Sequence, residues 1–150
     1  HPQRADLLHR RGRARMKLVR YDAALADFAA ARRLKPDHVG AFNSAAWVHY
    51  LRGEHKTAEP MARTARALAP NNVRGVDTHA HILAALGQKR AALEAFFLTC
   101  EALHTKAGVA KLQRQLARIG YSPGPATGVC NRRTRGVLAA CVWHKCTIWK

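Results

Sequence analysis

The sequence predicts an all-α protein: a short solenoid of stacked helix pairs with a small helical appendage at its C-terminal end. Three observations carry that prediction. Residues 53–70, GEHKTAEPMARTARALAP, have a counterpart in residues 19–36, VRYDAALADFAAARRLKP. Ala24 and Ala58, Ala31 and Ala65, Leu34 and Leu68, and Pro36 and Pro70 are each 34 residues apart, the period of a two-helix repeat. Gly87, Ala92 and Phe96 then take the places of Gly53, Ala58 and Ala62, so a third copy begins. After residue 106 the pattern changes to two short apolar stripes around a loop rich in glycine and proline.

Alanine at fixed offsets marks where two helices approach closely, since it removes bulk and still favours helix. The closing Leu-x-Pro stops the second helix of each pair, because proline lacks a donor and pushes the preceding residue out of the helical region. Each pair is apolar on both sides, so copies must stack.

Residues 4–20 read as an amphipathic helix with a dense basic face of Arg10, Arg11, Arg13, Arg15, Lys17 and Arg20, and with Leu7, Leu8 and Val19 as apolar contacts. That face is either solvated or an anion-binding surface. Tyr21-Asp22 reads as a turn, with Asp22 capping the helix that runs through Phe28 to Leu34. Residues 39–51 make the first helix of the second pair and carry Trp47 and Tyr50; residues 89–103 make the last repeat helix. In residues 109–119, Val109, Leu112, Leu116 and Ile119 share one stripe, and Gly120 ends the helix. A loop follows over 121–128, then a helix over 132–142 with Thr134, Val137, Leu138 and Cys141.

Gly12, Ala24, Phe28, Ala31 and Pro36, then Phe42, Ala46, Gly53, Ala58, Ala65 and Pro70, then Ala80, Gly87, Ala92 and Phe96 resemble the signature of the tetratricopeptide repeat. The resemblance implies a tetratricopeptide-type helical solenoid over residues 1–105, with repeats at about 5–38, 39–72 and 73–105, and a separate appendage over 106–150. It also implies that the first helix of each pair lines a concave groove. By position the groove receives His9, Arg13 and Lys17 from the first repeat, Asn43, Trp47 and Tyr50 from the second, and Arg74, Asp77 and His81 from the third. A basic surface interleaved with aromatics suits a protein ligand or an acidic peptide, held by charge-assisted hydrogen bonds. Trp47 has a second reading, packing between repeats.

In the tail, Leu112-Gln113, Leu116, Gly120-Tyr121, Gly124-Pro125, Gly128, Thr134-Arg135 and Leu138 resemble the peptidoglycan-binding repeat of bacterial cell-wall hydrolases and envelope proteins. Thr127 stands where that family usually has Asp. The resemblance implies glycan contact through Tyr121, Gly124, Pro125, Thr127 and Gly128, and a bacterial periplasmic or envelope location.

Composition bounds the function. The formal charge is +17, from 26 Lys+Arg against 9 Asp+Glu, which favours anionic partners. On charge alone, a basic nucleic-acid-binding protein is the alternative to a scaffold. No apolar run reaches the length of a membrane span. The chain begins at His1 with no signal peptide, which fits a processed form or the non-catalytic C-terminal part of a larger envelope hydrolase or protease. No Ser-His-Asp, Cys-His or paired-carboxylate arrangement stands out, so no enzyme activity, cofactor or metal is expected. His79 and His81, two apart, point to different helix faces and do not share an ion. Cys100 reads as a small buried hydrophobe. Cys141 and Cys146 close a short loop as a disulfide if the last helix ends near Trp143; the rival is a zinc set of Cys130, Cys141, His144 and Cys146.

Overall fold

The structure is a computed structural model that describes residues 2–88, 90–92, 94–95, 109–110, 113–114, 117–118, 120, 122, 125–126, 128–131, 133–134, 136–137 and 140. Among these the fold is all-α, without strands: α1 (Pro2–Lys17), α2 (Tyr21–Leu34), α3 (Val39–Leu51), α4 (His55–Leu68) and α5 (Val73–Ala85), with further helical residues beyond. The chain divides into two compact units, His1–Pro70 and Asn71–Lys150. The boundary expected at residues 105–106 lies outside the described residues. No helix among the described residues is long and apolar enough to cross a membrane.

In the first unit α1 packs on α2 and α3 on α4, while α2 packs on α3 and α1 touches α3. The core joins Ala24, Phe28, Ala31, Ala41, Ala45 and Val48, with Leu8, Met16, Tyr21, Leu25 and Met61 packed against it. Close approach explains the small residues. A Cβ on Gly12 would lie 2.6 Å from Phe28 Cε1, and Phe28 is fully buried. One repeat on, Ala46 and Ala62 stand at the corresponding places, both fully buried. The second helices end as expected: Lys35 and Ala69 leave the helical region, at φ −141° and −145°, just before Pro36 and Pro70.

The turns between paired helices share one hydrogen-bond pattern. Val19 N–H donates to Met16 O (3.0 Å) and Arg20 N–H to Arg15 O (2.9 Å). Gly53 and Glu54 repeat this on Tyr50 and His49, and Gly87 and Gln88 on Ala84 and Leu83. Each is a Schellman closure, which requires a left-handed residue after the helix. The three left-handed residues are Val19 at φ 59°, Gly53 at 76° and Gly87 at 75°. Glycine adopts that conformation freely; a β-branched valine is strained in it.

The turn therefore falls at Leu18-Val19, not at Tyr21-Asp22, where α2 has already begun. Asp22 does not cap α2. Arg20 is the residue at the cap, without a side-chain hydrogen bond, and Asp22 lies within the first turn. There its carboxylate accepts from Arg52 NH1 at 2.6 Å while facing the positive end of the helix. An ion cluster around the buried Asp27 fastens α1 to α2. Asp27, 3% exposed, accepts from Arg11 Nε (3.0 Å) and NH2 (2.6 Å) and lies 2.8 Å from Arg15 NH1.

The second unit begins with α5, capped by Asn72, whose Oδ1 accepts from Gly75 N–H at 3.2 Å. Nine consecutive residues, Gly75 to Leu83, are buried, so α5 is enclosed on every face. Such a helix is expected to be apolar all round, yet this one carries Asp77, Thr78, His79 and His81.

Candidate functional site

The first helices of the two repeats in unit one meet at His9. Its Nε2 lies 3.0 Å from Ser44 Oγ, tying α1 to α3. Gly40 makes the approach possible, since a Cβ there would stand 2.8 Å from His9 Cε1. The ring of His9 meets His38 edge-on at 4.9 Å and Phe28 at 5.8 Å. Burial lowers the His9 pKa to about 4, with His38 and then Arg13 pushing the same way. At neutral pH His9 is therefore an uncharged ring between α1 and α3. His38 caps α3 through Nδ1, which accepts from Ala41 N–H at 3.2 Å. Its Nε2 comes within 3.1 Å of Asp6 without the alignment of a hydrogen bond.

Arg13 and Lys17 follow His9 at successive turns of α1, and Arg10 shares their stripe. All three are exposed, and among the described residues none has a carboxylate partner. Arg11 and Arg15 sit on the other side of the helix, where both pair with the single carboxylate of Asp27. The basic face expected from the sequence is thus two surfaces, one spent inside the hairpin and one open. On α3, Trp47 and Tyr50 stack at 4.9 Å with planes 23° apart, and Tyr50 leans on His55 at 5.5 Å. Both are half-buried, as is Asn43, whose Oδ1 is enclosed with no hydrogen-bond partner among the described residues. Phe42 is committed elsewhere, under the Arg32 guanidinium at 5.0 Å.

Of the residues expected from the third repeat, Arg74 is exposed, while Asp77 and His81 are buried at 7% and 3% exposure. His81 Nε2 lies 3.7 Å from Asp77 Oδ1. Burial raises the Asp77 pKa to about 7 and lowers that of His81 to about 4, favouring the neutral form of each. His79 is buried as well, as an inward histidine.

In the C-terminal segment, Tyr121, Gly124 and Thr127 lie outside the described residues, as do Cys141 and Cys146. Pro125 is exposed. Gly128 is buried with φ 74°, and its N–H donates to Gln113 Oε1 at 3.1 Å. Gln113, 1% exposed, donates from Nε2 to Val129 O (3.1 Å) and Thr134 Oγ1 (2.9 Å). Asn131 Oδ1 accepts from Thr134 N–H at 2.8 Å, and Arg133 Nε donates to Ser122 O at 3.0 Å. Every polar atom of the Gln113 amide faces a partner, so this one side chain ties the loop to both flanking segments. Cys130 is disulfide-bonded, which occupies the sulfur that the zinc set needed as a thiolate. Its bond was not expected, although the even count of four cysteines was the available signal. Among the described residues no group of His, Cys, Asp and Glu is placed to hold a metal ion.

No protein-family model and no curated protein matches the chain. Solved structures do. The first tetratricopeptide domain of human RPAP3, in its NMR structure, is similar with a TM-score of 0.67 at 15% identity, covering 96% of this chain and 98% of that one. The first tetratricopeptide domain of Spaghetti (RPAP3), bound to the HSP90 peptide SRMEEVD, has a TM-score of 0.66 at 19% identity, covering 68% and 81%. The Sgt2 domain from Aspergillus fumigatus has a TM-score of 0.63 at 21% identity, covering 65% of each chain. The 34-residue register, the repeated Schellman turns and these likenesses agree: the chain has a tetratricopeptide-type helical fold.

Proposed function

We propose that this chain is a non-catalytic interaction scaffold whose α1–α3 surface takes an acidic, extended segment of a partner protein. The observation that carries this reading is the open cationic stripe of Arg10, Arg13 and Lys17 on α1, unpaired among the described residues, together with the Trp47–Tyr50 stack on α3, the helix that α1 meets at His9 and Ser44. Aromatic and arginine anchors dominate such interfaces. The peptide held by the RPAP3 domain, SRMEEVD, is acidic at its end, the chemistry this stripe complements. Peptide SRMEEVD and its Gln/Asn counterpart, titrated calorimetrically, test the proposal. The acidic form is expected to bind, and Arg13→Glu or Trp47→Ala to weaken it about tenfold or more. Equal binding of both peptides, or variants that bind like the parent, would overturn it.

A second reading concerns the tail: residues 106–150 form a peptidoglycan-contacting appendage to a repeat region at 1–105, in a bacterial envelope protein. The Gln113 anchorage supports it, because a loop held at Gly128 and Val129 presents a fixed surface. A sacculus pull-down should lose signal when residues 107–150 are deleted. Undiminished retention would assign the binding to charge on the repeats. A nucleic-acid role rests on the +17 charge alone and predicts steep salt dependence with DNA or RNA.

A further inference from the structure

The turn between α1 and α2 is unlike its sisters. Leu18 and Val19 sit side by side at its apex, 65% and 66% exposed. Val19 is also the residue in the left-handed position, at φ 59°, where the other two turns have glycine. A valine there is strained and gains nothing from the core, since its side chain stands in solvent. On the two sides of this apolar apex are Lys17 and Arg20, both exposed and, among the described residues, without a carboxylate partner. The nearby carboxylates are occupied: Asp22 by Arg52 at 2.6 Å, Asp27 by Arg11 and Arg15. The equivalent turn of the second repeat is arranged oppositely. Its left-handed residue is Gly53, and its arginine, Arg52, is bound to Asp22 and Glu54.

We propose that the Lys17-Leu18-Val19-Arg20 turn is a docking tip for an anionic phospholipid bilayer. Two adjacent aliphatic side chains at an apex, flanked by free cations, match a surface that is negative at its headgroups and apolar just beneath them. A nucleic acid or acidic peptide would use the cations and leave Leu18 and Val19 in water. The tip is small, so docking is shallow and reversible. It shares Lys17 with the proposed peptide surface but rests on Leu18 and Val19, which that surface does not use.

Sedimentation with phosphatidylcholine vesicles, with and without phosphatidylglycerol, tests this on the full chain. The parent protein is expected to bind only the anionic vesicles and to retain part of that binding at high salt. Leu18→Ser combined with Val19→Gly keeps every charge and relieves the backbone strain, and a thermal melt at or above the parent's separates loss of binding from unfolding. That variant should need about tenfold more lipid and lose its salt-resistant fraction, as two aliphatic side chains are withdrawn. Lys17→Glu with Arg20→Glu should weaken binding about as much at low salt. A Leu18/Val19 variant that binds like the parent would show that the overall charge, not the tip, holds the membrane. A parent protein indifferent to phosphatidylglycerol would also overturn the proposal.

Discussion

The two helix pairs of the first unit follow one 34-residue plan and reach it by different means. Where α1 and α2 cross, Gly12 meets Phe28; where α3 and α4 cross, Ala46 and Ala62 occupy the same two places. A large residue opposite none is exchanged for two small ones. The left-handed turn residue is Val19 in one pair and Gly53 in the other. The first pair is fastened by the buried Asp27 with Arg11 and Arg15, while the second carries a partly exposed rim network of Arg52, Glu54 and His49. A repeat thus conserves backbone path and shared volume between its copies more strictly than residue identity.

Three perturbations would break or sharpen this contrast. The largest effect is expected at the crossing. Phe28→Ala empties a fully buried site and should cost about 3–5 kcal/mol. Gly12→Ala pushes a methyl group into the immobile Phe28 ring and should cost about 2 kcal/mol, despite its better helix propensity. Together they copy the second pair, so the double variant should lie about 1 kcal/mol or more above the sum in a denaturant-unfolding cycle. Strict additivity would sink the idea of exchanged volume.

An intermediate effect is expected at Asp27. Asp27→Ala removes charge-assisted bonds from a buried carboxylate, but Arg11 is 57% exposed and water screens that side of the cluster. The loss is then about 1–2 kcal/mol. Glu54→Ala, on the rim, should leave the melting temperature nearly unchanged. The Arg11 hydrogen bonds, then the charges of Arg11 and Arg15, hold the Asp27 carboxyl below its ordinary value, outweighing burial. Its stabilisation is therefore complete above the unfolded carboxylate pKa and disappears as pH falls through the folded one. Asp27→Asn should flatten the acid limb of the melting temperature against pH; an unchanged limb would place the acid sensitivity elsewhere.

The smallest effect is at the turns, and it has opposite signs. Val19→Gly relieves a left-handed valine and should raise stability by about 0.5–1 kcal/mol, net of the added freedom of the unfolded chain. Gly53→Val installs the same strain and should lower stability by about 1 kcal/mol. Parallel thermal melts check both, and a destabilising Val19→Gly would mean that Val19 holds a contact worth more than its strain.

Much of this protein was determined by sequence alone, at the level of local backbone. Pro36 and Pro70 end helices through their own rings, Gly53 and Gly87 take a conformation open to few other residues, and alanines at Ala24, Ala31, Ala58 and Ala65 mark the crossings. These effects act within a residue or two, so they repeat with the sequence. Val19 aligns with Gly53 by the 34-residue register, but a valine carries no turn signal of its own, so the sequence reads as a turn at Tyr21-Asp22 instead. Partner choice between side chains was decided only by the tertiary structure. Nothing periodic links Arg11 to Asp27, His9 to Ser44, or Gln113 to Gly128; each pair exists because two segments meet at a particular height and angle. The basic face of α1 looks uniform in sequence, yet packing against α2 divides it into arginines spent on Asp27 and cations left open to solvent. Exposure is decided in the same way. Asp77 and His81 are polar at a helical spacing that suits a ligand surface, and the fold encloses them because burial belongs to the assembled chain rather than to any stretch of it.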